Sequence, residues 1–299
     1  MTIHTASLLI NPVAGRGSAG RRLRRICELI EDAGIAIEVH ESRGVGDLEA
    51  RARELARSET GHLMVAGGDG SVHEAVNGIM AAGGSAALGV IPTGTGNDFA
   101  KAAQIPLDWE AATRLLAQRI SDGAPPRSID VGRMNGRHFA NGAGIGLDAK
   151  VTQIARSYRW PVGDLVYLIA IFRAMVDGIA TPEIQIQSEE LQWQGPLTLA
   201  SISNGPWIGG MFYIAPMAIN DDNLLELLIA GPVTRVRILQ LLPKLIRGQH
   251  MNEPEIHHAS VRRVSITASE PVPSHLDGEV QPMQTSFEVE ILPGALQLL

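Results

Sequence analysis

Cysteine and lysine are scarce in this sequence of 299 residues. Cys27 is the only cysteine, which excludes an intrachain disulfide and a cysteine-rich zinc site and is consistent with a reducing cytoplasm. Only three lysines occur, Lys101, Lys150 and Lys244, and none follows a glycine, so the phosphate-binding pattern G-x-x-x-x-G-K-S/T is absent. If this chain binds phosphate, it must use another kind of loop.

The sequence also lacks an excess of positive charge and an uninterrupted apolar run. Lys and Arg number 25 against 32 Asp and Glu, and the net charge of -7 argues against a nucleic acid partner. The start, MTIHTASLLINP, has no basic segment before a long apolar one, which argues against a secretory signal. Prolines and glycines interrupt the uncharged stretch Leu191–Asn220, so it does not read as a membrane-spanning helix. We therefore predict a cytoplasmic chain that contacts a membrane without crossing it.

Apolar runs and amphipathic segments alternate through the first part of the chain. The predicted strands and helices, in order, are Ala6–Ile10, Ser18–Ala33, Ile35–His40, Asp47–Ser58, His62–Ala66, Ser71–Ala82 and Ala86–Ile91. This β-α-β-α order implies an α/β fold, in which a parallel sheet carries helices on both faces.

Past about Asp130 the pattern changes to short β-rich runs separated by glycine and proline, which predicts a second, mainly β domain. Two helical segments interrupt it, Asp164–Asp177 and Thr234–Arg247. The second is amphipathic, and it either packs in the core or rests on lipid headgroups. A linker is predicted at Ser121–Arg127. The predicted strands of this part are Glu183–Gln187, Leu197–Ser203, Leu224–Ile229 and Val261–Ala268.

Three glycine-rich loops follow strands of the first domain. They are NPVAGRG at Asn11–Gly17, VAGGDGSVHEAVNGI at Val65–Ile79 and GVIPTGTGNDFAKA at Gly89–Ala102. Backbone N–H groups where such a loop starts a helix can hold phosphate oxygens, although Asp69 in the second loop could equally be a helix cap in a tight turn. Because strand ends in a parallel sheet face one crevice, the three loops together indicate a nucleotide site.

The motifs Asn-Pro-x-Ala-Gly, Gly-Gly-Asp-Gly-Ser and Pro-x-Gly-Thr-Gly-Asn-Asp-Phe resemble the catalytic domain of diacylglycerol kinases and their bacterial lipid-kinase relatives. The resemblance continues through Ile129–Ala149, Ser203–Asp222 and His275–Glu279, whereas Gly-Gly-Asp-Gly alone would also fit NAD kinases and phosphofructokinases. It implies three segments: a three-layer α/β nucleotide-binding domain (NAD kinase/phosphofructokinase-like) at 1–128, a mainly β, sandwich-like domain at 129–287, and a strand at 288–299 that returns to the first domain.

The resemblance also implies a site for ATP with Mg²⁺. Ser42 and Ser71 stand where the family usually has threonine, and both keep a hydroxyl. His73 replaces a common asparagine and either touches the nucleotide or only follows the loop. Arg16 in the first loop is a further candidate for ATP contact. The residues implied to line the ATP site are Asn11, Ser42, Gly67, Gly68, Asp69, Gly70, Ser71, Val72, His73, Glu74 and Thr95.

The tripeptide Asp277-Gly278-Glu279 resembles the catalytic Asp-Gly-Glu of the family. Phosphoryl transfer needs a group that accepts the proton of the acceptor hydroxyl. The resemblance implies that Glu279 is this group, that Asp277 orients it or binds metal, and that Asp69 positions the phosphates. Taken without the resemblance, the same tripeptide predicts an ordinary hairpin turn.

The segment Asp222-Asn223-Leu224-Leu225-Glu226 resembles Asp-Gly-Leu-Leu-Asp of bacterial members, in which the aspartate and nearby carbonyls hold a structural magnesium ion. The implied ligands are the Asp222 carboxylate and the carbonyls of Ile219 and Leu224. Asn223 replaces the glycine, and because asparagine can adopt a positive φ, we expect the turn to be kept. A capped turn without metal explains the same residues.

We predict a kinase that transfers the γ-phosphate of Mg-ATP to the hydroxyl of a diacylglycerol-like lipid. The alternatives are an NAD kinase-like soluble small-molecule kinase and a non-catalytic nucleotide- or lipid-binding protein. The predicted partners are a lipid alcohol and the inner face of a membrane, and a homodimer is a further expectation. The sequence leaves open which lipid is the acceptor and which surface meets the membrane.

Overall fold

The computed structural model describes residues 4–58, 62–84, 86–158, 163 and 165–299. The chain divides into two compact units, one comprising Met1–Val131 with Pro293–Leu299 and the other Gly132–Leu292. Each unit has a hydrophobic core of its own.

The first unit is built on a parallel sheet. Strands β3 and β4 are buried along nearly their whole length, as expected of a parallel sheet covered on both faces. Its elements are β1 (His4–Ile10), α1 (Ala14–Glu31), β2 (Ile35–Glu41), α2 (Asp47–Arg57), β3 (His62–Gly67), α3 (Asp69–Ala81), β4 (Ala87–Pro92), α4 (Asp98–Ala102), α5 (Trp109–Ser121) and the start of β5 (Arg127–Met134). Pairings run β2 to β1, β1 to β3 and β3 to β4, all parallel. This arrangement confirms the predicted α/β fold.

Two helices begin earlier than predicted. Helix α1 begins at Ala14 instead of Ser18, so half of the predicted first loop is helical, and α3 begins at Asp69 instead of Ser71. The N–H groups of a first helical turn have no intrahelical acceptor, so glycine is tolerated there more easily than in a helix interior. The glycine motifs therefore form the first turns of these helices as well as the loops before them.

The second unit is mainly antiparallel β, as predicted. After the end of β5 its elements are β6 (Arg137–Phe139), β7 (Gly142–Gly146), α6 (Leu147–Ser157), α7 (Leu165–Asp177), β8 (Glu183–Gln187), β9 (Gln192–Pro196), β10 (Leu199–Ser203), β11 (Leu225–Ala230), α8 (Arg235–Ile246), β12 (Ile256–Val261), β13 (Arg263–Leu276) and β14 (Glu279–Leu298). The strand predicted at Val261–Ala268 is in fact the end of β12 and the start of β13. Asp164, the first residue of one predicted helix, lies outside the described residues.

Two strands carry the chain from one unit to the other. Strand β5 crosses after Val131 and β14 crosses back after Leu292, while the predicted linker Ser121–Arg127 connects α5 to β5 within the first unit. The end of β14 pairs in parallel with β4. Of the helices in the described ranges, none combines the length and apolarity needed to cross a membrane.

Helix α8 is held to the chain that follows it by a network of charges. Arg237 donates to Glu255 at 2.7 Å and to Glu253, and Lys244 also contacts Glu253. Hydrogen bonds from Lys244 and Arg237 hold the pKa of Glu253 below its usual range, and Arg237 lowers the pKa of Glu255 in the same way. The network ties the helix to residues 253–255.

We expect this network to make stability depend on pH in the acid range. A carboxylate with a lowered pKa in the folded state stabilises the fold fully above its ordinary value of 4.5, and the stabilisation is lost as the pH falls through the lowered pKa. Thermal midpoints measured from neutral pH to below 4.5 should therefore fall less steeply in Glu253→Gln/Glu255→Gln than in wild type. Glu189→Gln, an exposed control, should keep the wild-type slope. Equal slopes in all three would contradict the prediction.

Candidate active site

The candidate nucleotide loops lie at the carboxyl ends of adjacent parallel strands. Ile10 at the end of β1 pairs with Ala66 of β3, and Gly67 pairs with Pro92 of β4. The Ser42 N–H donates to the Ile10 carbonyl at 2.8 Å, which places the segment after β2 beside the segment after β1. The loops that follow these four strands therefore lie at one edge of the sheet.

The three glycine loops contact one another. A Cβ atom built on Gly94 would lie 2.4 Å from the Gly68 Cα, and one built on Gly15 would lie 2.1 Å from the Thr93 carbonyl oxygen. The Phe99 N–H donates to the Asp69 carboxylate at 3.1 Å and so joins the second loop to the third. Any larger residue at Gly15 or Gly94 would force the loops apart.

The first turns of α1 and α3 have the chemistry of an anion site. Neither helix has a side-chain hydrogen bond at its N-cap, Val13 or Gly68 respectively, within the described part of the chain. First-turn N–H groups and the positive end of the helix dipole favour phosphate oxygens, and glycine lets a ligand approach the backbone. The loop edge can therefore bind a phosphorylated ligand through its backbone.

Several predicted ATP-site residues lie at this edge. The Asn11 side chain accepts from the Val13 N–H at 3.2 Å, and the Ser42 hydroxyl donates to the Gly44 carbonyl at 3.0 Å. Thr95 is exposed at the tip of the third loop. The side chain of Arg16 lies outside the described residues.

Other predicted ATP-site residues, on α3, are engaged in packing. Ser71, Val72 and His73 are buried, and the Asn77 side-chain amide donates to the His73 carbonyl at 2.9 Å. The Glu74 carboxylate accepts from the Leu48 N–H at 3.1 Å, where it binds the first turn of α2. The side chains of His73 and Glu74 thus contact the interior of the first unit and α2.

In the second unit, Asp277 and Gly278 form the two-residue turn between β13 and β14. Leu276 pairs with Glu279, and φ is 49° at Asp277 and 83° at Gly278, as in the primed turns that suit hairpins. The Asp277 carboxylate accepts three backbone N–H groups, from Ala140 at 3.0 Å, Asn141 at 2.8 Å and Gly142 at 2.9 Å. The turn is therefore fastened to the start of β7.

Arg156 of α6 positions Glu279. Its guanidinium lies 2.5 Å from the Glu279 carboxylate and donates to the Gly278 carbonyl at 2.9 Å. One side chain thus holds both the turn and the carboxylate that follows it. Glu279 remains partly exposed, at 29% of its side chain, so a substrate can reach it.

Buried His275 connects the turn to the N-terminal end of α6. Its Nδ1 accepts from the Gly278 N–H at 3.2 Å, which assigns the proton of the neutral ring to Nε2, and Nε2 lies 3.2 Å from the Asp148 carboxylate. Gly144 leaves the space for this pair, because a Cβ there would lie 2.2 Å from the Asp148 carboxylate.

Asp148 also borders an apolar pocket of the second unit. Helices α6, α7 and α8 wall it together with β10 and β11. Its side chains are almost all aliphatic or aromatic, and they include Leu147, Tyr167, Ile171, Leu241 and Leu245. A pocket with so apolar a lining suits a hydrocarbon chain.

Comparison with known proteins shows which family the chain belongs to. Residues 5–134 match the family model of the diacylglycerol kinase catalytic domain, and residues 142–299 match that of the YegS C-terminal NAD kinase beta sandwich-like domain. The chain belongs to the diacylglycerol kinase family. It is a lipid kinase, and its family membership implies the use of ATP.

Relatives of this lipid kinase match along nearly the whole chain. A diacylglycerol kinase of Bacillus subtilis is 30% identical over 92% of this chain and 89% of its own length. A probable lipid kinase YegS-like of Klebsiella pneumoniae is 31% identical over 99% of this chain and 96% of its own length. A diacylglycerol kinase structure from Bacillus anthracis, 22% identical, shares the fold with a TM-score of 0.77 over 100% of this chain and 97% of that one. These matches favour a lipid kinase over the NAD kinase-like and non-catalytic alternatives.

The predicted magnesium turn keeps the expected backbone. Asn223 has φ of 66°, and the Leu224 N–H donates to the Asp222 carboxylate at 3.0 Å. Glu226 is buried in β11, where it accepts from Ser260 at 3.0 Å and pairs with His258, so it belongs to the sheet. Over the described residues, no group of three or more His, Cys, Asp or Glu could hold a metal. A metal here would depend on one carboxylate and the backbone carbonyls.

Sequence reasoning missed the roles of Arg156, Asp148 and His275. Asp148 and His275 lie within segments that resemble the family, Ile129–Ala149 and His275–Glu279, but nothing in either segment shows that the two side chains meet. Arg156 follows in an amphipathic helix without a motif of its own. Only the packing of α6 beside the hairpin reveals these contacts.

We expect Asp277→Asn to lower both stability and turnover. The amide is neutral and keeps only one acceptor oxygen, so all three N–H groups of Ala140–Gly142 lose a charged acceptor and at least one loses its acceptor altogether, at about 1.5–3 kcal/mol for such a bond. The free energy of unfolding and the lipid kinase kcat should both fall, while Asp122→Asn, an exposed control, should change neither. Unchanged stability in Asp277→Asn would show that the three hydrogen bonds do not hold the turn.

Proposed function

We propose that this lipid kinase transfers the γ-phosphate of Mg-ATP to a hydroxyl of a diacylglycerol-like lipid. The observation that carries the proposal is the chain of contacts in the second unit from Glu279 to the apolar pocket. His275 next to the turn contacts Asp148, and Asp148 borders the pocket. These contacts therefore connect a carboxylate that can accept a proton with a pocket that suits a hydrocarbon chain.

The nucleotide is assigned to the loop edge of the first unit. Backbone N–H groups at the start of α1 and α3 would bind phosphate oxygens, with Asn11, Ser42 and Thr95 beside them. Asp69 would face the phosphates, and its hydrogen bond from Phe99 supports that position. His73 and Glu74 would act on this edge through the packing of α3 instead of by contact with ATP.

Glu279 is assigned the acceptor step. Its carboxylate would take the proton of the lipid hydroxyl while the hydroxyl oxygen forms a bond to the γ-phosphorus. The bond between that phosphorus and the oxygen bridging to the β-phosphate then breaks, and ADP leaves with that oxygen. Arg156 and Asp277 keep Glu279 in position, and His275, which contacts Asp148, accepts a hydrogen bond from the turn.

Two magnesium ions are assigned to this enzyme. The ion that accompanies ATP would neutralise charge on the phosphates. A second ion would bind the turn of Asp222, with the carbonyls of Ile219 and Leu224. The retained positive φ of Asn223 and the oxygen donors of the turn fit this ion.

The acceptor's hydrocarbon chain is assigned to the apolar pocket. A lipid alcohol with long acyl chains resides in a bilayer, so the enzyme would act at a membrane surface, on the cytoplasmic side where ATP is supplied. Peripheral membrane contact follows from this assignment, and a homodimer stays a prediction.

Replacing Glu279 tests the acceptor step. Glu279→Gln should keep its fold, because a partly exposed ion pair contributes little to stability, yet its kcat should fall by about 10²- to 10⁴-fold. Transfer of radiolabelled phosphate to a panel of lipid alcohols measures this and identifies the acceptor. Glu288→Gln, an exposed position on the same strand, is the control. Undiminished turnover in Glu279→Gln would overturn the assigned role.

Narrowing the pocket tests the assignment of the acyl chain. Leu241→Trp should raise KM for a long-chain acceptor by about tenfold or more, since excluding two methylene groups costs about 1.6 kcal/mol. KM for a short-chain acceptor should change little. The control, Leu115→Trp on the exposed face of α5, should behave as wild type. An equal change for long and short chains in Leu241→Trp would contradict the assignment.

A further inference from the structure

We propose that the outer faces of α7 and α8 form a docking face that binds the surface of an anionic phospholipid bilayer. The docking face consists of Leu165, Ile169, Phe172, Val176, Val236 and Leu239. This proposal rests on the proposed function in one respect, because it explains how a lipid acceptor would reach the pocket.

Helix α7 carries an exposed apolar stripe. The exposed fractions are 56% for Leu165, 40% for Ile169, 51% for Phe172 and 73% for Val176. At 3.6 residues per turn these positions fall within an arc of about 60°. Ala170, Ala174 and Met175 are buried on the rest of the helix. The stripe is therefore a continuous feature of one helix face, unlike the isolated hydrophobic residues common on protein surfaces.

Helix α8 adds apolar and cationic groups. Val236 is 66% exposed and Leu239 is 43% exposed on its outer face. Arg235 and Arg247 are also exposed, at the first residue of the helix and just after its last. In the part of the chain that the structure describes, neither arginine forms a salt bridge, whereas Arg237 is paired with Glu253 and Glu255. Unpaired arginines beside exposed apolar residues suit anionic headgroups over an acyl layer.

The two helices also wall the apolar pocket. Tyr167 and Ile171 of α7 and Leu241 and Leu245 of α8 line it from the inner side of each helix. Each helix therefore presents hydrophobic residues on its pocket side and on its solvent side. If the outer side of either helix rests on a bilayer, the thickness of that one helix separates the membrane from the pocket.

The charges favour a bilayer over a second copy of this chain. The net charge of the protein is -7, so attraction to an anionic membrane must come from a local cationic surface such as that of α8. In a two-fold dimer the face would meet itself, and Arg235 and Arg247 would then need carboxylate partners. On α7, Asp177 is already paired with Arg173. Lipid phosphates supply the missing anions.

Vesicle binding tests the apolar stripe. The variant Phe172→Glu/Val176→Glu should bind vesicles of phosphatidylcholine with about 30 mol% phosphatidylglycerol at least about tenfold more weakly than wild type in a flotation assay. The matched control, Leu107→Glu/Leu115→Glu, places the same charges at exposed apolar positions of the first unit and should bind as wild type. Unchanged binding of the α7 variant, or an equal loss in the control, would overturn the proposal.

A charge variant tests the arginines. Arg235→Gln/Arg247→Gln should lose about 30-fold in binding to the anionic vesicles, at about 1 kcal/mol for each arginine, and should bind pure phosphatidylcholine vesicles as wild type does. If phosphatidylglycerol strengthened vesicle binding by this variant as much as it does for wild type, the role of the arginines would be overturned.

Activity and mass measurements separate the remaining explanations. Phe172→Glu/Val176→Glu should lose turnover of a bilayer-embedded acceptor and keep turnover of a dispersed short-chain acceptor. Loss of both would overturn the docking assignment, because the change would then reach the active site. If Phe172→Glu/Val176→Glu converted a dimer into a monomer but still bound vesicles, the face would be a subunit interface. That result would also overturn the docking assignment. A wild type that binds vesicles through this face but phosphorylates no lipid would instead refute the proposed function.

Discussion

The arrangement of the second unit depends on one carboxylate, that of Asp277. It accepts three N–H groups from residues 140–142, which lie more than 130 positions away along the chain. A carboxylate held in this way fixes the hairpin turn to β7, and α6 follows directly from β7. Arg156 and Asp148 are carried on that helix, so the positions of Glu279 and His275 are set by the same anchor.

Glycine makes the close approaches in both units possible. In the first unit Gly68 and Gly94 let two loops touch through their backbones, and in the second Gly144 makes room for Asp148 and His275. The sequence shows that glycine is frequent, but each of these glycines is required by an atom that lies far away in the chain. Their shared role is to remove a Cβ where two elements meet.

The first unit was the more predictable of the two. Its parallel strands alternate with helices, and the carboxyl ends of such strands must share an edge, so the meeting of three loops followed from order alone. The first turns of α1 and α3 escaped prediction because glycine lowers helix propensity wherever it occurs, although a first turn tolerates it. In the second unit the pairing of Asp148 with His275 and of Arg156 with Glu279 depends on antiparallel register and on the packing of α6, and neither leaves a local pattern.

The strand that completes the sheet of the first unit is made after the whole of the second. Leu296 and Leu298 of β14 are buried, and Gln297 and Leu298 pair with β4, so during synthesis the edge of β4 stays unpaired while some 160 residues of the second unit emerge. The usual order, in which the N-terminal domain folds first on the ribosome, cannot be completed here. The completion of the first unit's sheet is thus tied to the synthesis of the strand that begins at Glu279.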